Sequence, residues 1–190
     1  PVGDVNKYVS QFRDLQVPKY EHLVFTGGES MAPYYHGEYD YIPRCLNAAY
    51  LNGFVPFFKT NGMWGGDAQL RTTILDDLAN AAYKYQKLVS LDISVDEFHN
   101  NIAQTTAIIE NVFKSPRNIR AIRISLVGLN TPKSRQQFIN LIAQVSARGL
   151  TYQPIDPQTL MIGYNGVGAH VYYGLPKVQN HLTVFTNSWC

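Results

Sequence analysis

The chain has 190 residues, of which 45% are hydrophobic and 16% are charged, a composition typical of one globular domain with a sizeable core. Its 16 basic and 14 acidic side chains give a net charge of +2, which argues against nucleic-acid binding. Two cysteines, Cys45 and Cys190, are too few for a disulfide framework or a four-cysteine metal site, and no apolar run is long enough to form a membrane helix. We therefore expect a cytoplasmic protein without nucleic-acid or membrane partners.

Short apolar segments with the composition of buried strands recur along the chain at intervals of roughly 32 residues. In chain order they are His22–Phe25, Phe54–Lys59, Leu88–Val95, Ile119–Val127 and Thr151–Ile155. No sequence motif repeats at this interval, so the repetition is one of architecture.

A helical pattern precedes each predicted strand, because apolar residues recur there at spacings of three and four. The patterns comprise Val5, Tyr8, Val9 and Phe12; Ile42, Cys45, Leu46 and Ala49; Leu70, Ile74, Leu78, Ala81 and Tyr85; Ile102, Thr105, Ile109, Val112 and Phe113; and Phe138, Leu141, Ile142 and Val145. Thr131 before Pro132 predicts the start of the last helix, and Gly149 its end. Alternating strands and helices predict a parallel α/β sheet, either an open doubly wound sheet or part of a barrel.

Small polar and acidic residues follow the predicted strands, at the edge where parallel α/β proteins place their ligand sites. They lie in Thr26–Glu29, Thr60–Gly62, Ser94–His99, Gly128–Asn130 and Gln153–Pro154. Gly27 and Gly28 would leave the backbone open to a ligand, and Glu29 could then meet a cationic group. The alternative is that the glycines only turn the chain and that Glu29 faces water.

The segments VFTGGES, FKTNG and LDISVDEFHN, on three successive predicted strands, resemble the radical S-adenosylmethionine (SAM) enzymes. The resemblance covers roughly residues 1–155 and implies a partial parallel (β/α) barrel, with residues 156–190 as a Gly- and Tyr-rich extension that covers the barrel or forms a lid. In this family a Gly-Gly-Glu motif binds the methionine part of SAM. A CxxxCxxC loop holds a 4Fe–4S cluster, whose electron cleaves SAM to a 5′-deoxyadenosyl radical that abstracts a substrate hydrogen.

Carried over by position, the resemblance implies a set of SAM-binding residues and no metal ligand, and it leaves the catalytic residues unknown. The set is Gly27, Gly28 and Glu29 for methionine, Ser94 for the ribose or the carboxylate, and Asn61 and Asp96 on the same rim. The CxxxCxxC motif does not occur in the sequence, so the resemblance implies that the first strand and the cluster loop precede Pro1. The 4Fe–4S cluster would then belong to the intact protein only, which would also need a reductant protein and a small-molecule or peptide substrate.

Other functions remain open at this point. A non-catalytic module could bind a small molecule or a protein partner through the same rim. An unrelated barrel hydrolase or aldolase would need a lysine or a metal-binding pair at the strand ends, where the sequence offers only Lys59. His99 could be a catalytic base or a substrate contact; alternatively, it starts the next helix or donates to a backbone carbonyl. The tyrosines 34, 35, 39 and 41 either line a substrate cavity or pack over the rim, and Cys45 is expected to be a buried small hydrophobe.

Overall fold

The computed structural model of the chain describes residues 5–14, 22–129, 131–150, 161–165 and 168–172. Their secondary structure consists, in chain order, of α1 (Val5–Asp14), β1 (His22–Phe25), α2 (Ala32–Tyr35), α3 (Tyr41–Leu51), β2 (Val55–Thr60), α4 (Ala68–Tyr85), β3 (Val89–Ser94), α5 (Ile102–Lys114), α6 (Asn118–Ala121), β4 (Ile122–Val127), α7 (Pro132–Ala147), β5 (Met161–Asn165) and β6 (Gly168–Tyr172). A short 3-10 helix, Met63–Gly66, precedes α4.

Strands β1 to β4 form a parallel sheet in which the spatial order equals the chain order. Because parallel crossovers are right-handed, this order places the connecting helices on one face of the sheet. A doubly wound sheet would instead reverse its strand order at a switch point. The predicted parallel α/β fold is confirmed, and the order is compatible with a partial barrel. The described part of the sheet has four strands and is not closed.

The prediction of at least five parallel strands is therefore not met within the described residues. The predicted strand Thr151–Ile155 lies outside them. Beyond it, β5 and β6 form an antiparallel pair of their own.

The helices cover an apolar face of the sheet and build one continuous core with it. From the sheet this face contributes buried side chains such as Phe58, Leu91 and Ile93, which alternate with residues of the opposite face. From the helices it receives the predicted stripes, including Leu46 of α3 and Leu78 of α4, both fully buried. Because β1 to β4 are parallel, their carboxyl ends lie along one edge of the sheet, which is called the rim below.

Most predicted element boundaries are confirmed within one or two residues, and the exceptions have local causes. Strand β4 begins at Ile122 rather than at the predicted Ile119, because residues 118–121 form the helical turn α6. Tyr8, predicted on the buried stripe of α1, is 56% exposed. The predicted cap of α7 is confirmed, since the Thr131 hydroxyl accepts a hydrogen bond from the backbone of Ser134.

None of the helices in the described ranges combines the length and the apolar composition that crossing a bilayer requires.

Candidate functional site

The rim at the carboxyl end of β1 begins with two glycines in the left-handed region of backbone conformation. Gly27 has φ +110° and Gly28 has φ +61°, conformations that residues with a side chain adopt only with strain. A Cβ atom added at either position would meet no heavy atom within 4 Å. The glycines are therefore required by the backbone conformation and not by packing, and both are exposed to solvent.

Glu29 joins the end of β1 to the end of β2 through its carboxylate. Oε1 accepts hydrogen bonds from the backbone N–H of Met31 at 2.8 Å and from the Thr60 hydroxyl at 2.6 Å. Oε2 accepts one from the backbone N–H of Asn61 at 2.7 Å. A carboxylate has about four acceptor positions, so these three bonds leave about one position, on Oε2. Glu29 is thus both a brace of the rim and a candidate ligand contact.

Thr60, the last residue of β2, holds the Glu29 carboxylate in place through its hydroxyl group. Its hydroxyl oxygen accepts from the backbone N–H of Gly62 at 3.0 Å and from the indole N–H of the fully buried Trp64 at 2.9 Å. With both donors directed at the oxygen, the Thr60 proton is left to bond Glu29. Thr60 was predicted to lie at this strand end, without a role.

Asn101 joins the end of β2 to the end of β3 in the same way. Its side-chain amide donates to the backbone carbonyls of Asn61 and Ser94, the latter at 2.8 Å. The side chain is completely buried, which fixes the two strand ends relative to each other. Asn101 was not predicted, and the only signal for it in the sequence was its position immediately before α5.

Asn61 and Ser94 thus lie on neighbouring strand ends, connected by Asn101. Asn61 uses its side-chain oxygen locally, to accept from the backbone N–H of Met63 at 2.9 Å. Ser94 ends β3 and is half-buried. Five of the six predicted residues thus lie on one rim across β1, β2 and β3, namely Gly27, Gly28, Glu29, Asn61 and Ser94.

Asp96 has a local structural task beyond the end of β3. Its Oδ1 accepts from the backbone N–H of Phe98 at 2.9 Å and lies 2.8 Å from His99 Nδ1. Asp96 is 7% exposed, so this carboxylate stabilises the turn that leads to α5. His99 is held by the same contact and does not start a helix, since α5 begins at Ile102.

Gly128, which follows β4, has a packing role. A Cβ at Gly128 would collide with the carbonyl oxygen of Val95 and with the Phe138 ring, so this glycine allows β3 and β4 to approach closely. Gln153 and Asn130 lie outside the described residues.

The tyrosines that follow Glu29 separate into packed and exposed members. Tyr34 is buried and its hydroxyl donates to Asp77 at 2.5 Å; burial and Asp77 raise its pKa. Tyr35 is 50% exposed. Burial of its hydroxyl, followed by the nearby Glu29 charge, raises its pKa. Tyr35 is therefore the tyrosine of this segment that lies near the rim and faces solvent.

The described residues do not fit an iron–sulfur cluster. They contain no group of three His, Cys, Asp or Glu side chains that could hold a metal ion. Cys45 is completely buried on α3, as predicted, and burial raises the pKa of its thiol to about 11. A cluster ligand must be a thiolate, so Cys45 is unsuited to that role. Cys190 lies outside the described residues.

No model of a known protein family matches the sequence, and no curated protein matches it either. The resemblance to radical SAM enzymes therefore rests on the motif residues of the sequence.

Proposed function

We propose that the rim formed by Gly27, Gly28, Glu29, Asn61 and Ser94 binds SAM, as the core of a radical SAM enzyme. The observation that carries this proposal is the Glu29 carboxylate. It is held at neighbouring strand ends by Thr60 and Asn61, beside two exposed glycines, and about one acceptor position remains on Oε2.

The chemistry of the rim suits the methionine part of SAM. The ammonium group would donate to Oε2 of Glu29 in a charge-assisted hydrogen bond. Successive backbone N–H groups near left-handed glycines form concave sites for anions, and those near Gly27 and Gly28 would receive the carboxylate. Asn61 and Ser94 would then face the ribose. Asp96 plays at most a minor part, because its Oδ1 already bonds Phe98 and His99.

The 4Fe–4S cluster supplies the electron for SAM cleavage in the family, and the described residues do not hold it. The contribution we assign to this chain is therefore limited to binding and orienting SAM. A reductant protein, a small-molecule or peptide substrate and a cytoplasmic location remain predictions for the intact enzyme.

Calorimetry with two ligands tests the proposal on the unaltered protein. 5′-Methylthioadenosine keeps the adenosine and the sulfur of SAM but lacks the ammonium and the carboxylate. We expect it to bind about tenfold more weakly than SAM, because a hydrogen bond to a charged group contributes about 1.5–3 kcal/mol.

Equal affinities would show that the rim does not hold the amino-acid part of SAM. Absence of binding by either compound would contradict the proposal and favour a non-catalytic module with another partner. Glu29→Gln removes the charge that the ammonium group would meet and should weaken SAM binding. Glu97→Gln is its matched control for charge near the rim, since Glu97 follows β3 and is half-buried. It should leave the SAM affinity unchanged.

A further inference from the structure

The face of the sheet opposite the helices carries charged and polar side chains. Lys59 of β2, Asp92 of β3 and Ser125 of β4 are aligned by the strand register in one row across the sheet. Arg123 lies two residues before Ser125 on β4 and therefore on the same face, as a diagonal neighbour of Asp92. Lys59, Arg123 and Ser125 are all half-buried.

Asp92 is the most buried member of this row. It is 6% exposed, its carboxylate accepts a hydrogen bond from Ser125, and it is attracted by Lys59. Yet its Oδ1 has no hydrogen-bond partner among the described residues. A buried acceptor without a partner is destabilising and uncommon in folded proteins, so a missing donor is expected at this position.

Arg123 presents the complementary deficiency on the neighbouring strand. Its Nε is buried and has no hydrogen-bond partner within the described part of the chain. Diagonal neighbours in a sheet lie roughly 7–8 Å apart at the backbone, which is within reach of an arginine. Among the described residues, Arg123 and Asp92 form no ion pair with each other. This face of the sheet therefore carries a buried donor and a buried acceptor, on neighbouring strands, that both lack a partner.

We propose that this face binds a small hydroxylated carboxylate, whose carboxylate group accepts from Arg123 and whose hydroxyl donates to Oδ1 of Asp92. The unpartnered guanidinium Nε of Arg123 favours an anion over an amine as the ligand. The guanidinium fork of arginine matches the geometry of a carboxylate. The carboxylate of Asp92 provides the preference for a hydroxyl-bearing acid. This site is independent of SAM binding at the rim.

A matched set of three compounds tests the site on the unaltered protein. Glycerate carries the carboxylate and the hydroxyls, propionate lacks the hydroxyls, and glycerol lacks the carboxylate. We expect glycerate to shift the NMR amide signals of β3 and β4 and to bind about tenfold more tightly than either analogue, since each analogue loses a bond to a charged partner. The measurement is made at neutral pH, where Asp92 is mostly ionised because burial raises its pKa only to about 6.

Substitutions then assign the two contacts. Arg123→Gln should abolish the preference for glycerate over glycerol, whereas Arg120→Gln, an exposed arginine on α6, should preserve it. Asp92→Asn keeps only a neutral acceptor and should reduce the preference for glycerate over propionate. The amide spectrum of each variant shows whether the sheet is intact.

Three results would overturn the proposal. If no compound shifts the strand signals, Asp92 and Arg123 do not bind a small hydroxylated carboxylate. If propionate binds as well as glycerate, the face is a simple anion site. If glycerol binds as well as glycerate, Arg123 does not recognise a carboxylate.

Discussion

At Asp92, the penalty for burying a charge exceeds the attraction of the neighbouring cation. Burial raises the pKa of this carboxyl to about 6, although Lys59 and Ser125 act in the opposite direction. The pKa of Lys59 is lowered by burial, although Asp92 acts to raise it. Both shifts favour the uncharged forms, which is the behaviour expected when two ionic groups lose their hydration together.

The substitution Asp92→Asn should therefore stabilise the protein above about pH 7 by about 1–3 kcal/mol, given a shift of about two units from the ordinary value near 3.9. A folded-state pKa above the unfolded value means that the protonated carboxyl contributes stability below about pH 4. This contribution is lost as the pH rises through about 6. Asn cannot ionise, so the variant should lack this loss. Urea unfolding between about pH 4 and 8 measures it.

The parent protein, unfolded in parallel at each pH, is the reference for this experiment. An Asp92→Asn variant that is less stable than the parent at about pH 8 would show that the attraction of Lys59 dominates after all.

Glu29→Gln should weaken the rim even in the absence of ligand. Both carboxylate oxygens of Glu29 accept hydrogen bonds, three in total. A glutamine would replace one oxygen by an N–H₂ group, which would then face a donor without an acceptor. We expect a loss of about 1–3 kcal/mol in unfolding free energy, measured as a lower midpoint in urea. Glu38→Gln, in an exposed loop, should change the midpoint little. A Glu29→Gln variant as stable as Glu38→Gln would mean that the carboxylate does not brace the strand ends.

At the scale of the elements, two turn glycines share a left-handed backbone conformation but differ in how closely they are packed. Gly62, after β2, has φ +71°, and an added Cβ would lie 2.8 Å from Cγ2 of Ile93. Gly53, between α3 and β2, has φ +85° and open space around the same position. Gly53→Ala should cost about 1–2 kcal/mol through the left-handed conformation alone. Gly62→Ala should cost about 1–3 kcal/mol more, because it also overpacks the core.

Comparison of the two variants by urea unfolding measures the difference directly. Equal losses of stability would show that Ile93 moves aside without penalty, and that the end of β2 is less tightly packed than the contact distance indicates.

The order and type of the elements could be predicted because each depends on local patterns. The strand His22–Phe25 was predicted with its observed bounds, since an apolar run ends at glycines there. The four residues predicted for the stripe of α3 are all buried, because a period near 3.6 residues selects one face of a helix. Ala48 and Tyr50 are buried as well and were not predicted. Strand β4 was predicted too long, since apolar residues of the turn α6 extend the same apolar run.

The contacts between elements could not be predicted in this way. Asn101 reaches the carbonyls of Asn61 and Ser94 only because β2 and β3 are adjacent in a particular register. The row of Lys59, Asp92 and Ser125 depends on the same register. Neighbours in this row are about 30 positions apart in the sequence, and no local pattern specifies the strand register at that separation. Glu29 was found because its motif is contiguous.

At the scale of the whole molecule, the two faces of the sheet have different chemistry and different tasks. The apolar face and the helices form one contiguous cluster that includes side chains of α3, α4, α5 and α7. The opposite face and the rim hold the candidate ligand contacts. A single core that joins all four parallel strands should unfold as one cooperative unit, and local opening should be limited to the rim turns.

Cys45 provides a direct test of this cooperativity. Its thiol is completely buried in the cluster, and burial raises its pKa to about 11, so a disulfide reagent can react only after the core opens. In a Cys190→Ser variant, we expect labelling of Cys45 to accelerate with urea. Its slope should equal that of global unfolding, because opening of α3 should require opening of the sheet. A protein that carries Asn80→Cys, exposed on α4, in a Cys45→Ala and Cys190→Ser background should react at once. Rapid labelling of Cys45 with little urea dependence would show that α3 opens alone, and that the helical layer and the sheet are separate cooperative units.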